Sequence, residues 1–501
     1  MSLANGSNGR FDFTTEVPAA GSLGSVHFIA IGGAGMSGVA RVMLAEGIAV
    51  SGSDAKESLV LSALAAEGAV VHVGHDASHV AGADTVVISS AIREGNVELR
   101  EARSRGLRVL HRSQALASVM QGSRKVAVAG ANGKTTTTSM LTVALQHCGL
   151  DPSFAIGGEL AKHGTNAHHG TGDIFVAEAD ESDGSFLVYR PEVAIVTNVQ
   201  PDHLDFYGTF EAVQAAYARF AATVQPQGLL VTCADDQGSR ALAEVARAAG
   251  SKVITYGVAS DADVRLTELG GVGLRAHAVL VGAGLDNVVL GRLEIGMPGR
   301  HNLLNATAAF VAATEGLGQE AARVLEGLAG FTGTRRRFEP KGEVAGVRVV
   351  DDYAHNPGKV TALVETASSI AAPGRLIVVF QPHLYSRTSD FAAELAAALS
   401  PADVVIVMDV FAAREDPLPG VTGALIADRL LEAVQRHPGE GARFVRFVPS
   451  WSDVAPLVAQ LAEPGDLVVT VGAGDVTMIG PEILRLLTQR LDPTAVSAGQ
   501  E

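Results

Sequence analysis

Between Lys125 and Thr136 an apolar run, Lys125–Ala129, breaks into Gly130-Ala131-Asn132-Gly133-Lys134-Thr135-Thr136. A strand that turns through glycine into the start of a helix points several backbone N–H groups into one concavity, and the helix dipole adds to them. Such a turn cradles phosphate. Lys134 would meet the charge of a β- or γ-phosphate, and the Thr135 hydroxyl would ligate Mg2+. The pattern GxxxxGK[ST] is not met, because Val128 stands where its first glycine would be, and the loop is the shorter GxxGKTT. The plainer reading is a glycine turn beside a solvated lysine. The position of Gly-Lys-Thr-Thr, where strand passes to helix, argues against it.

A second stretch, Glu178-Ala179-Asp180-Glu181-Ser182-Asp183, follows the predicted strand Ile174–Ala177. Four carboxylates at the end of a parallel strand are costly unless a cation is present. Alone, the run reads as well as a solvated surface. His203, in Thr197-Asn198-Val199-Gln200-Pro201-Asp202-His203-Leu204-Asp205, follows the next strand and could face the same site, so the two motifs together point to a metal. Near the start of the chain, Ala30-Ile31-Gly32-Gly33-Ala34-Gly35 is similar to a dinucleotide fingerprint but has Ala30 where GxGxxG needs glycine. Asp54 stands about where a ribose-binding acid would. A nucleotide diphosphate on that helix N-terminus fits as well as a nicotinamide cofactor. In the last third, Asp351-Asp352-Tyr353-Ala354-His355-Asn356-Pro357 and Gln381-Pro382-His383-Leu384-Tyr385-Ser386-Arg387-Thr388 follow buried strands. They are either ligand-binding loops at strand ends or simple turns. His72, His75 and His79, like His168-His169, read as solvated loop histidines rather than metal ligands.

Loops of this kind need strands that alternate with helices. Apolar runs predict strands at Val26–Ile31, Ile48–Val50, Val70–Val73, Thr85–Ser89 and Leu107–Leu110, with a helix over Met36–Glu46. The pattern restarts at Lys125–Ala129, with a helix over Ser139–His147 and strands at Ile174–Ala177, Val193–Thr197 and Gly228–Thr232. A small antiparallel element is expected over 250–295 and helices over 301–329. A third series has strands at Val347–Asp351, Leu376–Phe380, Val404–Asp409 and Leu467–Val471. Strand–helix alternation implies right-handed crossovers and parallel sheets, hence an α/β protein of three serial units. The boundaries are a flexible lead at 1–21, units at 22–119, 120–335 and 336–491, and a flexible tail at 492–501.

Composition narrows the function. The 501 residues are 47% hydrophobic, and 38 Lys+Arg stand against 54 Asp+Glu for a net charge of -16. That charge disfavours nucleic acid and anionic membrane as general partners, so any phosphate must be held by local devices. The two cysteines, Cys148 and Cys233, suggest neither a disulfide framework nor a structural zinc site. No apolar run approaches a membrane span, and the first residues lack the charge and hydrophobicity of a secretory signal, so a cytoplasmic protein is expected.

The motifs as a set resemble the Mur ligase family over essentially all of 24–485. The markers begin with Ile31-Gly-Gly-Ala-Gly-Met-Ser37, Ser51-Gly-Ser-Asp54, Ser89-Ser-Ala-Ile92, the Gly130 loop, the Glu178 run and the Thr197 run. They continue in the family's order with Pro298-Gly-Arg-His-Asn302, Arg336-Arg-Phe338, the Asp351 and Gln381 clusters, Pro419-Gly-Val-Thr422 and Gly472-Ala-Gly-Asp475. The resemblance implies three domains: an N-terminal Rossmann-like domain for a UDP-sugar, a central P-loop ATPase-like domain, and a C-terminal Rossmann-like domain that closes over both. It also implies a reaction, in which ATP and Mg2+ drive the joining of L-alanine to UDP-N-acetylmuramate through an acyl phosphate. The alternative within the family is a recycling ligase that adds a tripeptide to UDP-N-acetylmuramate. Either a monomer or a homodimer is compatible with the sequence.

By motif, the resemblance assigns Gly130 to Thr136 to ATP, with Lys134 on the transferring phosphate and Thr135, Glu178 and His203 on magnesium. His301, Asn302 and Asn305 fall on the adenine side, and Arg337 is a nucleotide contact. Gly32, Gly33, Ala34, Gly35, Met36, Ser37, Ser53, Asp54 and Ser89 form the UDP-binding face. Tyr353, His355, His383 and Arg387 meet UDP-N-acetylmuramate and the reacting groups. Lys134, His203, His355 and Arg387 are the catalytic candidates. Three departures stand out: Ala131-Asn132 replaces a usual Thr-His, Asn356 replaces a second histidine, and Ala30 replaces a glycine.

Overall fold

The computed structural model describes residues 10–161, 164–283, 288–413, 415–436 and 441–491. They fall into two compact units, Met1–Gly296 with Arg300–Thr332, and Met297–Gly299 with Gly333–Glu501.

The first unit holds two sheets. One has five parallel strands in the order Val70–Val73, Val50–Asp54, Val26–Ile29, Thr85–Ile88, Arg108–His111. Its central strands are Val/Ile/Phe-rich and buried on both faces; Phe28, Ile29, Val86, Val87 and Ile88 are all 0% exposed, as a parallel sheet covered by helices requires. Each such side chain contributes roughly 1.5–3 kcal/mol on burial. The strand order reverses between Val26–Ile29 and Thr85–Ile88, and a crevice for ligand opens at such a switch point, beyond the carboxyl ends.

The other sheet has ten strands. The phosphate-loop strand Arg124–Ala129 lies between Val193–Val196 and Ile174–Glu178, all parallel. Leu229–Cys233 and Lys252–Gly257 extend it in parallel on one side, and Ser153–Ala155 on the other. Thus the three candidate loops, after Ala129, Glu178 and Val196, emerge side by side at one edge. The antiparallel element is confined to Val264–Val272, Arg275–Gly282 and Val288–Ile295; Lys252–Gly257, expected within it, pairs in parallel instead.

The helix after the phosphate loop is Lys134–His147, starting well before the expected Ser139. Four successive threonines are poor helix formers, but here the helix is nucleated by the turn. Gly133 caps it in the left-handed conformation, and the Thr138 hydroxyl donates to Lys134 O at 2.8 Å. Packing secures the rest. Leu141, Ala144 and Leu145 are 0% exposed, and a Cβ at Gly327 would lie 2.8 Å from the Ala144 backbone.

Part of the expected flexible lead is anchored. Phe13 is 1% exposed, its ring edge-on to His111, and the Gln114 amide donates to Asp12 O at 3.1 Å. Two aromatics in a polar stretch were enough to tie it down. Residues 1–9 and the expected tail 492–501 lie outside the described residues.

The second unit carries a six-stranded sheet ordered Glu339–Val344, Val347–Asp352, Leu467–Val471, Leu376–Phe380, Val404–Val407, Phe444–Phe447. Only the Glu339–Val344 edge strand is antiparallel. Val349, Ile377, Val379, Ile406 and Val468 form its core. Among the described residues no helix is long and apolar enough to cross a membrane.

Candidate active site

Two glycines make the phosphate loop possible. Gly130 has φ +133° and a Cβ there would lie 2.0 Å from Thr197 Oγ1; Gly133 has φ +89° and its Cβ would lie 2.5 Å from Asn305 Oδ1. Neither position accepts a side chain. The loop is closed from the neighbouring strand: Asn132 N donates to Asn198 Oδ1 at 2.9 Å, and Thr197 Oγ1 and Asn198 Nδ2 donate to Asn132 O at 2.5 and 3.0 Å. Ala131 and Asn132 therefore belong to a loop held from both ends. Thr136 is buried in the first turn.

Lys134 Nζ donates to Gly130 O at 2.6 Å and to Glu181 Oε1 at 2.8 Å. Burial opposes its charge, yet Glu181, Asp180 and Glu178 outweigh that cost and raise its pKa above the ordinary lysine value. Lys134 is a fixed cation. The Thr135 hydroxyl lies 3.1 and 3.0 Å from the two Glu178 oxygens, and Gly157 N donates to Glu178 Oε2 at 2.7 Å. Glu181 is 3% exposed at its side chain, and its Oε2 is buried without a hydrogen bond. Burial raises the Glu181 pKa.

His203 sits in the left-handed region, φ +53°, with Nε2 3.8 Å from Glu181 Oε1. It thus meets the acidic run through Glu181. Among the described residues no three His, Cys, Asp or Glu side chains are grouped to hold a metal. Magnesium does not need such a cage: it takes one or two carboxylates, keeps waters, and completes its shell from nucleotide phosphates. A hydroxyl on one carboxylate and a second carboxylate oxygen left bare fit that donor set.

The acidic run is divided in its loyalties, which sequence reading did not anticipate. Glu178 and Glu181 face the phosphate loop. Asp180 instead takes Arg112 Nη2 at 2.5 Å, and Asp183 takes the Ser90 hydroxyl, His111 Nε2 at 3.2 Å and Ser185 N at 3.1 Å. Against burial, His111, Ser185 and Ser90 hold the Asp183 pKa below its ordinary value. Ser90, His111 and Arg112 all stand at strand ends of the five-stranded sheet. Two carboxylates expected at a cation therefore fasten the first domain to the central one. No local signal could reveal partners 68 or 93 residues away.

The loop at 32–35 runs into the helix Ala34–Ala45, capped by Gly33. The N–H groups of its first turn have no carbonyl within the helix to bond, and so are suited to phosphate. Asp54 Oδ2 accepts from Gly32 N at 2.9 Å, and a Cβ at Gly35 would lie 2.5 Å from Arg112 Nη1. Arg112 thus lies over the loop as well as on Asp180. Ser89 is half-buried after Ile88. Three residues expected on the UDP-binding face have buried side chains. Met36 is buried in the core, the buried Ser37 hydroxyl donates to Ala34 O, and Ser53 is 0% exposed with its hydroxyl on Glu98. At Met36 and Ser37 only backbone can serve a ligand.

Asn302 and Asn305 are buried on the helix Arg300–Val311, with Asn305 against Gly133, whereas His301 is exposed on the first turn. In the second unit, the Arg337 guanidinium lies 5.2 Å and the Arg336 guanidinium 4.9 Å from the Tyr353 ring centre. The His355 ring is 5.1 Å from Tyr353 and 5.4 Å from His383. His355 Nδ1 lies 2.8 Å from Tyr353 O. Burial and the nearby cations Lys359 and Arg387 push its pKa well below the ordinary value. Asn356 caps the following helix, accepting from Lys359 N at 2.9 Å, with Pro357 at the first helical position. Thus Tyr353, His355, His383 and Arg387 are brought together, and Asn356 is structural.

Three family models cover the chain: Mur ligase family, catalytic domain, over 25–124; Mur ligase middle domain over 128–313; and Mur ligase, glutamate ligase domain, over 336–474. A UDP-N-acetylmuramate–L-alanine ligase from Renibacterium salmoninarum is 56% identical over 93% of this chain and 96% of its own. The crystal structure of a UDP-N-acetylmuramate–alanine ligase from Thermotoga maritima matches with TM-score 0.75 at 28% identity, covering 93% of this chain and 99% of that one. A murein peptide ligase from Psychrobacter arcticus matches with TM-score 0.66 at 25% identity, covering 92% and 98%.

Proposed function

The chain belongs to the Mur ligase family, and on that premise we propose that it joins L-alanine to the carboxylate of UDP-N-acetylmuramate with ATP, as a cytoplasmic step of peptidoglycan precursor synthesis. The carrying observation is the divided acidic run. One strand end binds the phosphate loop through Glu178 and Glu181, and the first domain's anion-binding loop through Asp180 and Arg112. A ligase that must bring a sugar-nucleotide carboxylate to a γ-phosphate needs such a link.

A carboxylate acylates an amine poorly. In the proposed reaction its oxygen attacks the γ-phosphorus of ATP, the bond to the β-phosphate oxygen breaks, and ADP leaves. The amine nitrogen of L-alanine then attacks the acyl carbon, the carbon–oxygen bond to phosphate breaks, and phosphate departs. Two anions must approach in the first step, so charge neutralisation and alignment dominate the catalysis. Lys134, kept charged by Glu181, supplies a cation at the transferring phosphate. Mg2+, when bound, neutralises the phosphate oxygens, and Thr135 and Glu178, with His203 beside Glu181, would hold it. The amine must lose a proton during attack. His355 is assigned that proton: the Tyr353 carbonyl can only accept, so Nδ1 carries the ring hydrogen and Nε2 is left as the acceptor. Tyr353, His383 and Arg387 are assigned to orient the substrate.

The test is ADP release from Mg-ATP and UDP-N-acetylmuramate with L-alanine present, absent, or replaced by L-Ala-D-Glu-meso-diaminopimelate. Release that depends on L-alanine is the expected result. Release with the tripeptide alone would make this a recycling ligase, and silence throughout would contradict both. His355→Ala with unchanged turnover would remove the assigned base.

A further inference from the structure

Lys134 and Glu181 close on each other across the phosphate loop. Lys134 opens its helix and its side chain runs back over the turn, so that Nζ donates to Gly130 O at 2.6 Å and to Glu181 Oε1 at 2.8 Å. The Lys134 side chain is 15% exposed and that of Glu181 3%. Glu181 is fixed through its backbone, where its carbonyl accepts from the Tyr207 hydroxyl at 2.5 Å and from Gly184 N at 3.1 Å. Its second oxygen, Oε2, is buried without a hydrogen bond, and so is the hydroxyl of Tyr217, a residue 1% exposed.

The other carboxylates of the run answer to other groups. Asp180 has Arg112 and Asp183 has His111, both from the first domain, and Glu178 takes the Thr135 hydroxyl and Gly157 N. Among the described residues Glu181 has one fixed cation, Lys134, while the His203 ring stands off at 3.8 Å. A buried carboxylate that loses its cation is destabilised, and so is a second anion brought up to share that cation. The turn that cradles phosphate therefore carries a competitor for its own lysine.

We infer that Glu181 is a positioning residue that acts through Lys134, and that it makes phosphate binding in this loop conditional on a divalent cation. The inference rests on the ATP-dependent reaction proposed above. A nucleotide phosphate without metal brings negative charge to an ammonium that Glu181 already neutralises, and the two anions repel across it. With Mg2+ bound, the Glu181 carboxylate is balanced from a second side, and Lys134 is free to turn from it toward the phosphate. Metal-free ATP is thus disfavoured by the charge of one side chain rather than by the shape of the loop. Such a condition suits the chemistry, because a carboxylate cannot approach a γ-phosphate whose charge is left unneutralised.

Calorimetric binding of ATP to the full chain, with Mg2+ or with EDTA and without the other substrates, tests this free of turnover. The native chain is expected to bind ATP roughly a hundredfold more tightly with Mg2+ than with EDTA. Glu181→Gln keeps an oxygen for Lys134 but removes the charge. It is expected to bind metal-free ATP roughly tenfold more tightly than the native chain does, so that the ratio narrows to about ten. Should that variant not fold, Glu181→Met reads the same ratio. Asp183→Asn removes a charge from the same run, away from Lys134, and is expected to keep the native ratio. A native chain indifferent to Mg2+, a ratio that persists in a folded Glu181 variant, or an equal narrowing in Asp183→Asn would overturn the inference while leaving the ligase reading intact. Absence of ATP binding even with Mg2+ would overturn both.

Discussion

The chain builds the same turn twice, and the two copies solve different charge problems. At Gly130–Lys134 the strand-to-helix turn carries its own cation, held at 2.8 Å by Glu181, and two left-handed glycines let the backbone curl tightly. At Gly32–Gly35 the turn has no cation of its own. Arg112, from the end of another strand, lies over Gly35, and Asp54 fixes Gly32 from a third. A triphosphate undergoing transfer must have its charge neutralised within the loop, because charge moves during the reaction. A diphosphate that is merely held tolerates a borrowed cation. The borrowed Arg112 is shared with Asp180, in the acidic run that also serves the first cradle. On the function proposed above, that shared arginine is what would couple the two cradles.

Breaking the first cradle is expected to give the largest effect. Lys134→Ala should cut L-alanine-dependent ADP release on the order of a thousandfold. It should also lower stability by about 3 kcal/mol, because Glu181 is left buried without its cation; steady-state kinetics and thermal unfolding read the two losses. Gly130→Ala comes next. It meets Thr197 Oγ1 at 2.0 Å with φ +133°, so turnover should fall roughly a hundredfold with about 2 kcal/mol of destabilisation. The matched change in the second cradle, Gly35→Ala, meets the movable end of Arg112 at 2.5 Å. It should raise the KM for UDP-N-acetylmuramate about tenfold and leave the KM for ATP unchanged, and equal effects on both would break the comparison.

The link itself has a pH signature. Asp183 has a depressed pKa, so its stabilisation is present above the ordinary carboxylate value of 3.8 and is lost as pH falls below it. Native Tm should therefore drop on acidification below about pH 4 more steeply than the Tm of Asp183→Asn. The smallest effect is at Ala30, which occupies the left-handed region with φ +63°. Ala30→Gly relieves about 1 kcal/mol of strain but adds unfolded-state entropy of similar size, so Tm should move by no more than a few degrees.

Much of this was legible before the structure. Leu376–Phe380 and Leu467–Val471 are strands over those very residues, because short apolar runs rich in β-branched residues and buried on both faces suit a parallel sheet; Val70–Val73 is a strand as expected too, but an exposed one at the sheet edge. The Gly130 loop was legible because glycine, lysine and threonine at fixed spacing have few other uses. The partition of the acidic run was not, since Arg112, His111 and Ser90 are distant in sequence and meet it only through packing of the two sheets. Of the histidines read as solvated, His75 is exposed in a loop, whereas His72 and His79 are half-buried, stacked on each other with His79 on Glu98, which lies on a separate helix. Short strands such as Ser153–Ala155 and Phe444–Phe447 carry too few residues to show a period.

In the proposed reaction the two cradles bring a sugar-nucleotide carboxylate to a γ-phosphate for L-alanine to capture. UDP-N-acetylmuramate labelled with oxygen-18 in its carboxylate, turned over with Mg-ATP and L-alanine, tests it directly. One labelled oxygen is expected in each inorganic phosphate released, at a rate that depends on L-alanine. Phosphate released without label would contradict it.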